Sequence, residues 1–265
     1  MSAVRRHPLI TFFVLTFATA WGFLPFGSFG AFAPLIAALI VIPITQGRAG
    51  LRELGIRMIR WRVGWIWYAV AIGVPLAVFV ITVALNVALG APAPSLASQV
   101  SPWYAVIVVF AVRLIDPLDG PMGEEPGWRG FALPRLQAGR SPLLSTLILA
   151  LLVAVWHLPL LLPQFGLRPI ELLTTFAITF WYSWLFNRTG GSVLMTLVAH
   201  STQGIIQPPE FWAAEAAAAQ VVLLDCVVWC AVVIGLVVFD WRFWRGPAPA
   251  SATVQPAYGG ESRVR

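Results

Sequence analysis

Long apolar stretches, interrupted by short polar segments, dominate the pattern of residues along the chain. No Asp, Glu, Lys or Arg occurs in residues 7–47, 63–112 or 141–167. Because a membrane-spanning helix requires about 20 mainly apolar residues, each stretch is long enough for one or two spans. The pattern therefore predicts an all-α polytopic membrane protein with about eight transmembrane helices, at residues 8–27, 30–46, 63–88, 102–119, 142–162, 171–187, 191–207 and 217–239.

Two segments depart from this pattern without indicating a soluble domain. Residues 47–62 carry arginines between apolar residues at helical spacing, which predicts a helix lying in the cytoplasmic membrane interface. Residues 246–265 contain few bulky apolar residues, so we expect a disordered cytoplasmic tail. The sequence contains no recognisable internal repeat, and residues 1–245 are expected to form one helical membrane domain.

Composition supports a membrane protein and indicates its orientation. Hydrophobic residues make up 59% and charged residues 11% of the chain, whereas soluble domains contain roughly 45–50% apolar and about 25% charged residues. All 17 basic residues are arginines, and with a cytoplasmic N-terminus most of them fall on the cytoplasmic side. By the positive-inside rule, we expect a multi-pass protein of the cell membrane with both termini in the cytoplasm. The arginines assigned to that side are Arg5, Arg6, Arg48, Arg52, Arg57, Arg60, Arg62, Arg129, Arg135, Arg140, Arg188, Arg242, Arg245, Arg263 and Arg265.

The net charge of +6 follows from this orientation. Arginines at the cytoplasmic face contact the anionic head groups of the lipid bilayer. No basic patch with interleaved aromatic residues is present, so we expect no nucleic-acid partner.

The chain concentrates its few acidic residues in one place. Of the 11 acidic residues, four lie within ten positions: Asp116, Asp119, Glu124 and Glu125. On a helix, Glu125 and Arg129 are four residues apart and share a face, whereas Glu124 points about 100° away. We therefore expect Arg129 to hold Glu125 in a structural ion pair, and Glu124 to project towards other polar groups.

The residues around these acids predict an interruption of the helical backbone. Pro126 suits only the first turn of a helix or a kink, so a helix is expected to begin near Glu124. The glycines and proline in residues 120–123 indicate broken backbone, which a membrane tolerates only where protein or a cavity surrounds it. We expect residues 116–125 to fold back into the membrane, because Glu124 at the cytoplasmic surface would be too far from deeper polar groups.

Further ionisable residues lie within the apolar stretches. His157 occurs in VAVWHLP and His200 in LMTLVAHSTQG. Ionisable side chains at membrane depth are costly and usually face a polar cavity or one another, so both histidines are candidates for a site with the acidic pair. The alternative is a hydrogen-bond network that only packs helices together. His7 is expected to be interfacial, and Arg113 and Asp116, three residues apart, are expected to neutralise one another.

The combination of these residues resembles a known family. Three motifs carry the resemblance: GEEPGWRGFALPRL with Glu124, Glu125 and Arg129, then WHLP with His157, then His200. They resemble the CPBP family of intramembrane proteases, which includes type II CAAX prenyl endopeptidase-like proteins and the bacteriocin-immunity (Abi) group. The resemblance covers about residues 119–205, within a protease-like core of about 104–207. It implies a catalytic cavity inside the helix bundle and a membrane-associated protein or peptide substrate, CAAX-type prenylated substrates included, cut near the cytoplasmic face.

The resemblance also implies roles for individual residues. Glu124 would be the general base that activates water, His157 would position or polarise that water, and no cofactor would be needed. His200 would stabilise the oxyanion together with an Asn four residues later. This chain departs from the family pattern at that Asn, which is Gly204 here. Gln203, one residue earlier, is the nearest replacement for the missing donor.

Other functions remain open for the same residues. One carboxylate and two histidines form a known zinc ligand set, so Glu124, His157 and His200 could bind zinc in a metalloprotease. Gly204 instead favours a catalytically weak or inactive membrane protein that acts in immunity or as a scaffold. A transporter is the remaining alternative, but the lack of internal repeats counts against it.

Overall fold

The computed structural model describes residues 3–94, 102–205 and 208–252. These residues form helices and connecting turns, with no β-strand among them, so the all-α prediction is confirmed. The main helices are α1 Pro8–Gly22, α2 Ala33–Met58, α3 Trp65–Ala88, α4 Tyr104–Ile115, α5 Gly120–Gly127, α6 Pro142–Trp156, α7 Pro169–Arg188, α8 Val193–Ile205, α9 Glu215–Phe239 and α10 Trp241–Arg245. Shorter helical segments are Ala3–Arg6, Leu24–Phe26, Trp128–Ala132, Leu133–Leu136, Gln137–Gly139, Leu158–Leu161, Pro208–Phe211 and Ala250–Ala252.

Four helical segments are long and apolar enough to cross a membrane: Pro8–Phe26, Ala33–Met58, Trp65–Ala88 and Glu215–Phe239. Their mean hydropathies lie between 1.5 and 2.9, and many of their large apolar side chains are exposed on the outside of the bundle. Such extensive apolar exposure is expected of a surface that contacts lipid. A helix also occurs at each of the other predicted spans, but α4, α6 and α8 have only 12, 15 and 13 residues. The number of eight spans therefore remains a prediction.

Gly47 divides α2 into two parts with different surroundings. Its φ of 63° and ψ of −152° are not helical, and glycine adopts this conformation without steric cost. The break coincides with the predicted end of the second apolar span, and the part after it corresponds to the predicted interface helix. Leu54 and Arg57 in this second part are buried, so it packs against the bundle, and its location in the membrane interface stays a prediction.

The polar break between α4 and α5 is shorter than predicted. Only residues 116–119 are non-helical, and α5 begins at Gly120, four residues before the predicted start. Asp119 caps this helix by accepting a hydrogen bond from the Gly120 amide at 2.8 Å. Pro126 therefore lies inside the helix, and a π-helical turn, Trp128–Ala132, follows it. The Asp119 cap thus begins the helix earlier than predicted, and a wider turn follows a proline that the sequence pattern placed in a first turn.

Close packing of α5 against the start of α2 sets the level of Glu124 in the bundle. A Cβ atom on Gly127 would lie 2.5 Å from the backbone of Pro34, and one on Gly123 would lie 2.7 Å from the backbone oxygen of Ala31. Only glycine allows so close an approach of two backbones. Because Glu124 lies between the two glycines, this contact places it beside the first residues of α2.

An arginine-rich end lies on the other side of the bundle. Arg5 donates a hydrogen bond to the Ile44 carbonyl, and Arg135 donates one to the side chain of Gln46. The part of α2 between this level and its first turn rises about 18 Å, at ~1.5 Å per residue. This length of helix separates the level of Glu124 from the arginine-rich end.

The chain after α10 stays packed against the bundle as far as Ala252. Ala252 is fully buried, and a Cβ atom on Gly191 would lie 2.7 Å from the backbone oxygen of Ser251. The tail predicted for residues 246–265 therefore stays a prediction. The rest of the predicted tail, residues 253–265, lies outside the described residues.

Candidate active site

The three residues predicted to be catalytic meet at a small polar cavity. Glu124 of α5, His157 at the end of α6 and His200 of α8 all line it. The cavity has a volume of about 90 Å³, and one water molecule needs about 10–15 Å³ by the same measure, so several waters fit. The other lining residues are Arg129, Val153, Thr175, Ile178, Thr179, Tyr182 and Gln203. Residues far apart in the sequence thus share one cavity, as a common reaction would require.

Glu124 directs its carboxylate into this cavity. The residue is only 8% exposed, and the indole Nε1 of Trp128 donates a hydrogen bond to its Oε2 over 3.3 Å. The other oxygen, Oε1, lies 3.2 Å from the position that a Cβ atom on Gly120 would take, and Nε2 of His200 lies 3.7 Å from the same point. The carboxylate and the imidazole therefore face the same small volume beside Gly120.

Glu125 lies behind the cavity, in the buried ion pair that the helical spacing predicts. Its Oε1 is 2.9 Å from Nη1 of Arg129, and the two side chains are 0% and 2% exposed. The same oxygen is 2.9 Å from Nδ1 of His200. This second contact was not predicted, because no spacing rule relates two residues on different helices. The adjacent glutamates thus have different surroundings, one facing the cavity and one joining α5 to α8.

Hydrogen bonds at Nδ1 orient both histidines so that Nε2 is the ring nitrogen left free. The His157 Nδ1 lies 2.8 Å from the Val153 carbonyl oxygen, which can only accept, so this nitrogen carries the proton. In the neutral ring, Nε2 of His157 is then an acceptor. The His200 Nδ1 bonds to the Glu125 carboxylate, and its ring stacks on Tyr182 with centroids 5.2 Å apart. Both imidazoles are therefore held in fixed orientations from behind the cavity.

The polar residues before α5 form a different ion pair from the predicted one. Nη1 of Arg113 lies 3.1 Å from Oδ2 of Asp119, whereas Asp116 accepts a hydrogen bond from the Leu118 amide at 2.9 Å. The predicted pairing of Arg113 with Asp116 is therefore wrong. The reason is local: α4 ends at Ile115 and the backbone at Asp116 is extended, so the two side chains do not share a helical face.

Arg129 also differs from its first assignment. The charge pattern counts it among the cytoplasmic arginines, but it is 2% exposed and its Cζ lies 5.0 Å from the centre of the Tyr182 ring. It therefore belongs to the site and contributes nothing to the surface charge from which the orientation is predicted. The other 14 arginines assigned to that side still form a large majority of the 17 basic residues.

Tyr182 is a residue of the candidate site that was not predicted from the sequence. It stacks on His200, lies beside Arg129, and donates a hydrogen bond from its hydroxyl to Oε1 of Gln203. Tyr182 occurs in the aromatic-rich stretch TFWYSWLFN, where aromatic residues are common in any membrane-embedded helix. No motif distinguishes it from Trp181 or Trp184, so only the contacts reveal its position.

Side chains that could ligate a metal do not cluster in the part of the chain that the structure describes. Within residues 3–94, 102–205 and 208–252, no three His, Cys, Asp or Glu side chains come together as ligands for one ion. The zinc alternative therefore gains no geometric support here, and it stays a prediction for experiment.

Comparison with known proteins tests the family resemblance that the sequence motifs indicate. No curated protein matches the chain. The matched region of a family model, residues 100–206, includes helices α4 to α8 and all three cavity residues predicted to be catalytic. Over these residues the chain matches the Rce1-like family, described as type II CAAX prenyl endopeptidase Rce1-like, and this match confirms the family resemblance that the three sequence motifs carry.

Proposed function

We propose that this protein is an intramembrane endopeptidase in which Glu124 activates water for attack on a peptide bond. The observation that carries the proposal is the cavity shared by Glu124, His157 and His200. A network that served only helix packing would leave none of these side chains facing an open cavity. In the described part of the chain, no hydrogen bond joins any two of the three residues. The family match at residues 100–206 supports a peptidase of this class.

The geometry supports a mechanism in which each transferred proton has a named donor and acceptor. Glu124 takes a proton from water while Nε2 of His157 accepts a hydrogen bond from the same molecule and orients it. The water oxygen bonds to the carbonyl carbon, and the electron pair of the C=O double bond moves to the carbonyl oxygen. Collapse of this intermediate breaks the C–N bond, and the proton held by Glu124 passes to the leaving amine. One water is consumed and the carboxylate is regenerated.

His200 faces the side of the cavity where the oxyanion would form. To donate from Nε2 its ring must be protonated, and the Glu125 carboxylate at Nδ1 stabilises that positive charge. Arg129 in turn compensates the charge of Glu125. The buried triad of Arg129, Glu125 and His200 would therefore hold the imidazole in position during the reaction.

The surroundings favour a membrane-associated protein or peptide as the substrate. The cavity lies within a bundle of apolar helices, where a soluble protein would have little access. An apolar groove of about 250 Å³ lies between α3, α4 and α8 and offers a surface for a lipid chain. Together with the match to prenyl endopeptidases, this groove makes a prenylated CAAX peptide the first substrate to test.

The location of the cavity changes the expected side of cleavage. The positive-inside rule places the arginine-rich end in the cytoplasm, and Glu124 lies at the opposite end of the first part of α2. In that orientation cleavage takes place in the outer half of the membrane. The family resemblance alone leads to the opposite expectation, so the orientation has to be measured together with the activity.

The proposal is tested by replacing the base without changing its shape. Wild type and Glu124→Gln would be reconstituted in liposomes and assayed with a quenched fluorescent peptide that ends in a farnesylated CAAX sequence. In parallel, new protein termini in cell membranes would be identified by mass spectrometry. We expect Glu124→Gln to lower the rate by about 10² to 10⁴, the usual contribution of a general base, with an unchanged melting temperature.

Glu215 provides the matched control, because its side chain is 84% exposed and lies outside the cavity. Glu215→Gln should cleave like wild type. Cleavage by Glu124→Gln at the wild-type rate would exclude Glu124 as the base. If folded wild type releases no new terminus from any membrane protein, the inactive immunity or scaffold function becomes the better conclusion.

A further inference from the structure

Arg113 fills the space beside Gly204, the position at which this chain lacks the Asn of the family motif. A Cβ atom on Gly204 would lie 2.2 Å from Nη2, 2.5 Å from Cζ and 2.8 Å from Nε of Arg113. Cβ atoms do not approach other heavy atoms so closely, so no side chain fits at residue 204 while Arg113 keeps this position. The guanidinium lies where the side chain of an asparagine would begin.

The guanidinium is close to His200. Residues four apart on a helix are neighbours, with about 5–6 Å between their Cβ atoms, so Arg113 comes within one helical turn of the His200 ring. The Nε2 atom of His200 lies 3.7 Å from the Cβ position of Gly120, beside Oε1 of Glu124. Arg113 therefore lies beside the part of α8 that carries His200, and the His200 ring in turn faces Oε1 of Glu124.

Asp119 holds the guanidinium in place and leaves other donors available. Its Oδ2 lies 3.1 Å from Nη1 of Arg113, while its Oδ1 caps α5 through the Gly120 amide. The Nε atom of Arg113 is buried and has no hydrogen-bond partner among the described residues. A buried donor without an acceptor is uncommon in folded proteins.

We propose that Arg113 takes the place of the missing Asn as a catalytic donor, with its guanidinium stabilising the oxyanion on the scissile carbonyl. This inference rests on the proposed endopeptidase function. When the water oxygen bonds to the carbonyl carbon, the electron pair of the C=O bond becomes a negative charge on oxygen. A cation with several N–H donors is suited to receive that charge. Arg113 stays protonated throughout, so it donates hydrogen bonds without transferring a proton.

Two competing assignments make different predictions. If Arg113 only neutralises Asp119, its removal should lower stability without a specific effect on kcat. If Gln203 is the donor, as its position in the sequence suggests, Gln203→Ala should carry the loss of rate. The hydrogen bond that Gln203 Oε1 accepts from the Tyr182 hydroxyl gives this side chain a structural partner already.

The test replaces the arginine donor at residue 113 with an asparagine donor at residue 204. Wild type, Arg113→Ala, Gly204→Asn and the double variant Arg113→Ala/Gly204→Asn would be compared for kcat and KM. The substrate is the farnesylated quenched peptide, or the membrane protein that wild type is found to cleave. Arg113→Ala should lower kcat by about 10² to 10³, the usual effect of removing one oxyanion donor, with KM nearly unchanged. Gly204→Asn alone should also lower kcat, because the new side chain collides with the guanidinium.

The double variant gives the decisive result, because removing the Arg113 side chain opens the space that the introduced asparagine needs. We expect it to recover kcat at least about tenfold over Arg113→Ala, a part of the effect of one donor. A merely structural role predicts no such recovery. Arg168 is the matched control: it forms an ion pair with Glu215 at 2.6 Å and does not line the cavity. Arg168→Ala should keep wild-type kinetics. Melting temperatures are measured for all variants, and Arg113→Lys replaces Arg113→Ala if the latter does not fold.

The failures of the two proposals are distinguishable. An unchanged kcat for Arg113→Ala beside an active wild type would overturn the role of Arg113 and leave the endopeptidase function intact. A loss carried by Gln203→Ala instead, or a double variant no better than Arg113→Ala, would have the same meaning. If wild type shows no Glu124-dependent cleavage of the peptide or of any membrane protein, the proposed function fails, and the inference about Arg113 fails with it.

Discussion

Replacing the two adjacent glutamates should produce two different defects. Glu125→Gln removes the negative charge from a pair in which both side chains are buried, and leaves the Arg129 cation without its partner at 2.9 Å. Breaking a buried ion pair in this way costs about 3–5 kcal/mol. For a protein of this size, about 1 kcal/mol corresponds to roughly 2–4 °C in melting temperature. Glu125→Gln should therefore melt at least roughly 6 °C below wild type.

Glu124→Gln should have a much smaller effect on stability. Its carboxylate faces the cavity, and its one hydrogen bond to another side chain, from Trp128 at 3.3 Å, is long and can be kept by a glutamine oxygen. Melting curves of detergent-purified variants, followed by tryptophan fluorescence, would compare the two substitutions directly. The double variant Glu125→Gln/Arg129→Met removes both charges and should recover much of the loss.

The reasoning would be refuted if Glu124→Gln and Glu125→Gln lowered the melting temperature equally. It would also fail if the double variant Glu125→Gln/Arg129→Met were as unstable as the sum of its single substitutions, because the two side chains would then not interact. Activity gives the opposite order, since only Glu124→Gln should abolish cleavage in protein that has kept its wild-type stability.

Three further predictions concern packing, orientation and metal dependence. Gly127→Ala should destabilise the protein by about 1–3 kcal/mol, because its Cβ atom would meet the backbone of α2 at 2.5 Å. Gly55→Ala is the control, since no atom lies within 4 Å of its Cβ position, and it should be neutral or slightly stabilising in the same melting assay. Equal effects of the two substitutions would contradict the close packing. In a background without the two native cysteines, Ser28→Cys should react with an impermeant thiol reagent in intact cells, whereas Ala49→Cys should react only after lysis. The reverse labelling pattern would mean that the orientation is opposite and that the cavity lies in the cytoplasmic half of the membrane. Dialysis against a chelator should leave the cleavage rate unchanged, and a loss that added zinc restores would establish the zinc mechanism instead.

Local features of this chain followed from its sequence. Each apolar stretch that was predicted to span the membrane contains a helix, because burial of backbone polar groups in lipid permits little else. The i,i+4 spacing of Glu125 and Arg129 predicts their ion pair, because helix geometry alone brings those side chains together. The end of the second span before Gly47 was also predictable, since charged residues begin there. In each case the interacting residues lie within a few positions of one another.

Where local rules compete, sequence reasoning was less accurate. The start of α5 was placed in the turn before Pro126, but the Asp119 cap begins the helix earlier. Arg113 and Asp116 have the spacing of a helical pair, yet the helix ends between them and Arg113 binds Asp119 instead. Spacing predicts a contact only if the backbone between the two residues remains helical.

The contacts that assemble the site could be decided only by the tertiary structure. Nothing in the order of residues relates Glu125 to His200, or Arg113 to Gly204, because these contacts depend on how close two helices pack and at which level they meet. The glycines at 123 and 127 let α5 approach α2, and that approach sets the depth of Glu124. The sequence by itself determined which residues were available for chemistry, whereas helix packing decided which of them share a cavity and which space an arginine could fill.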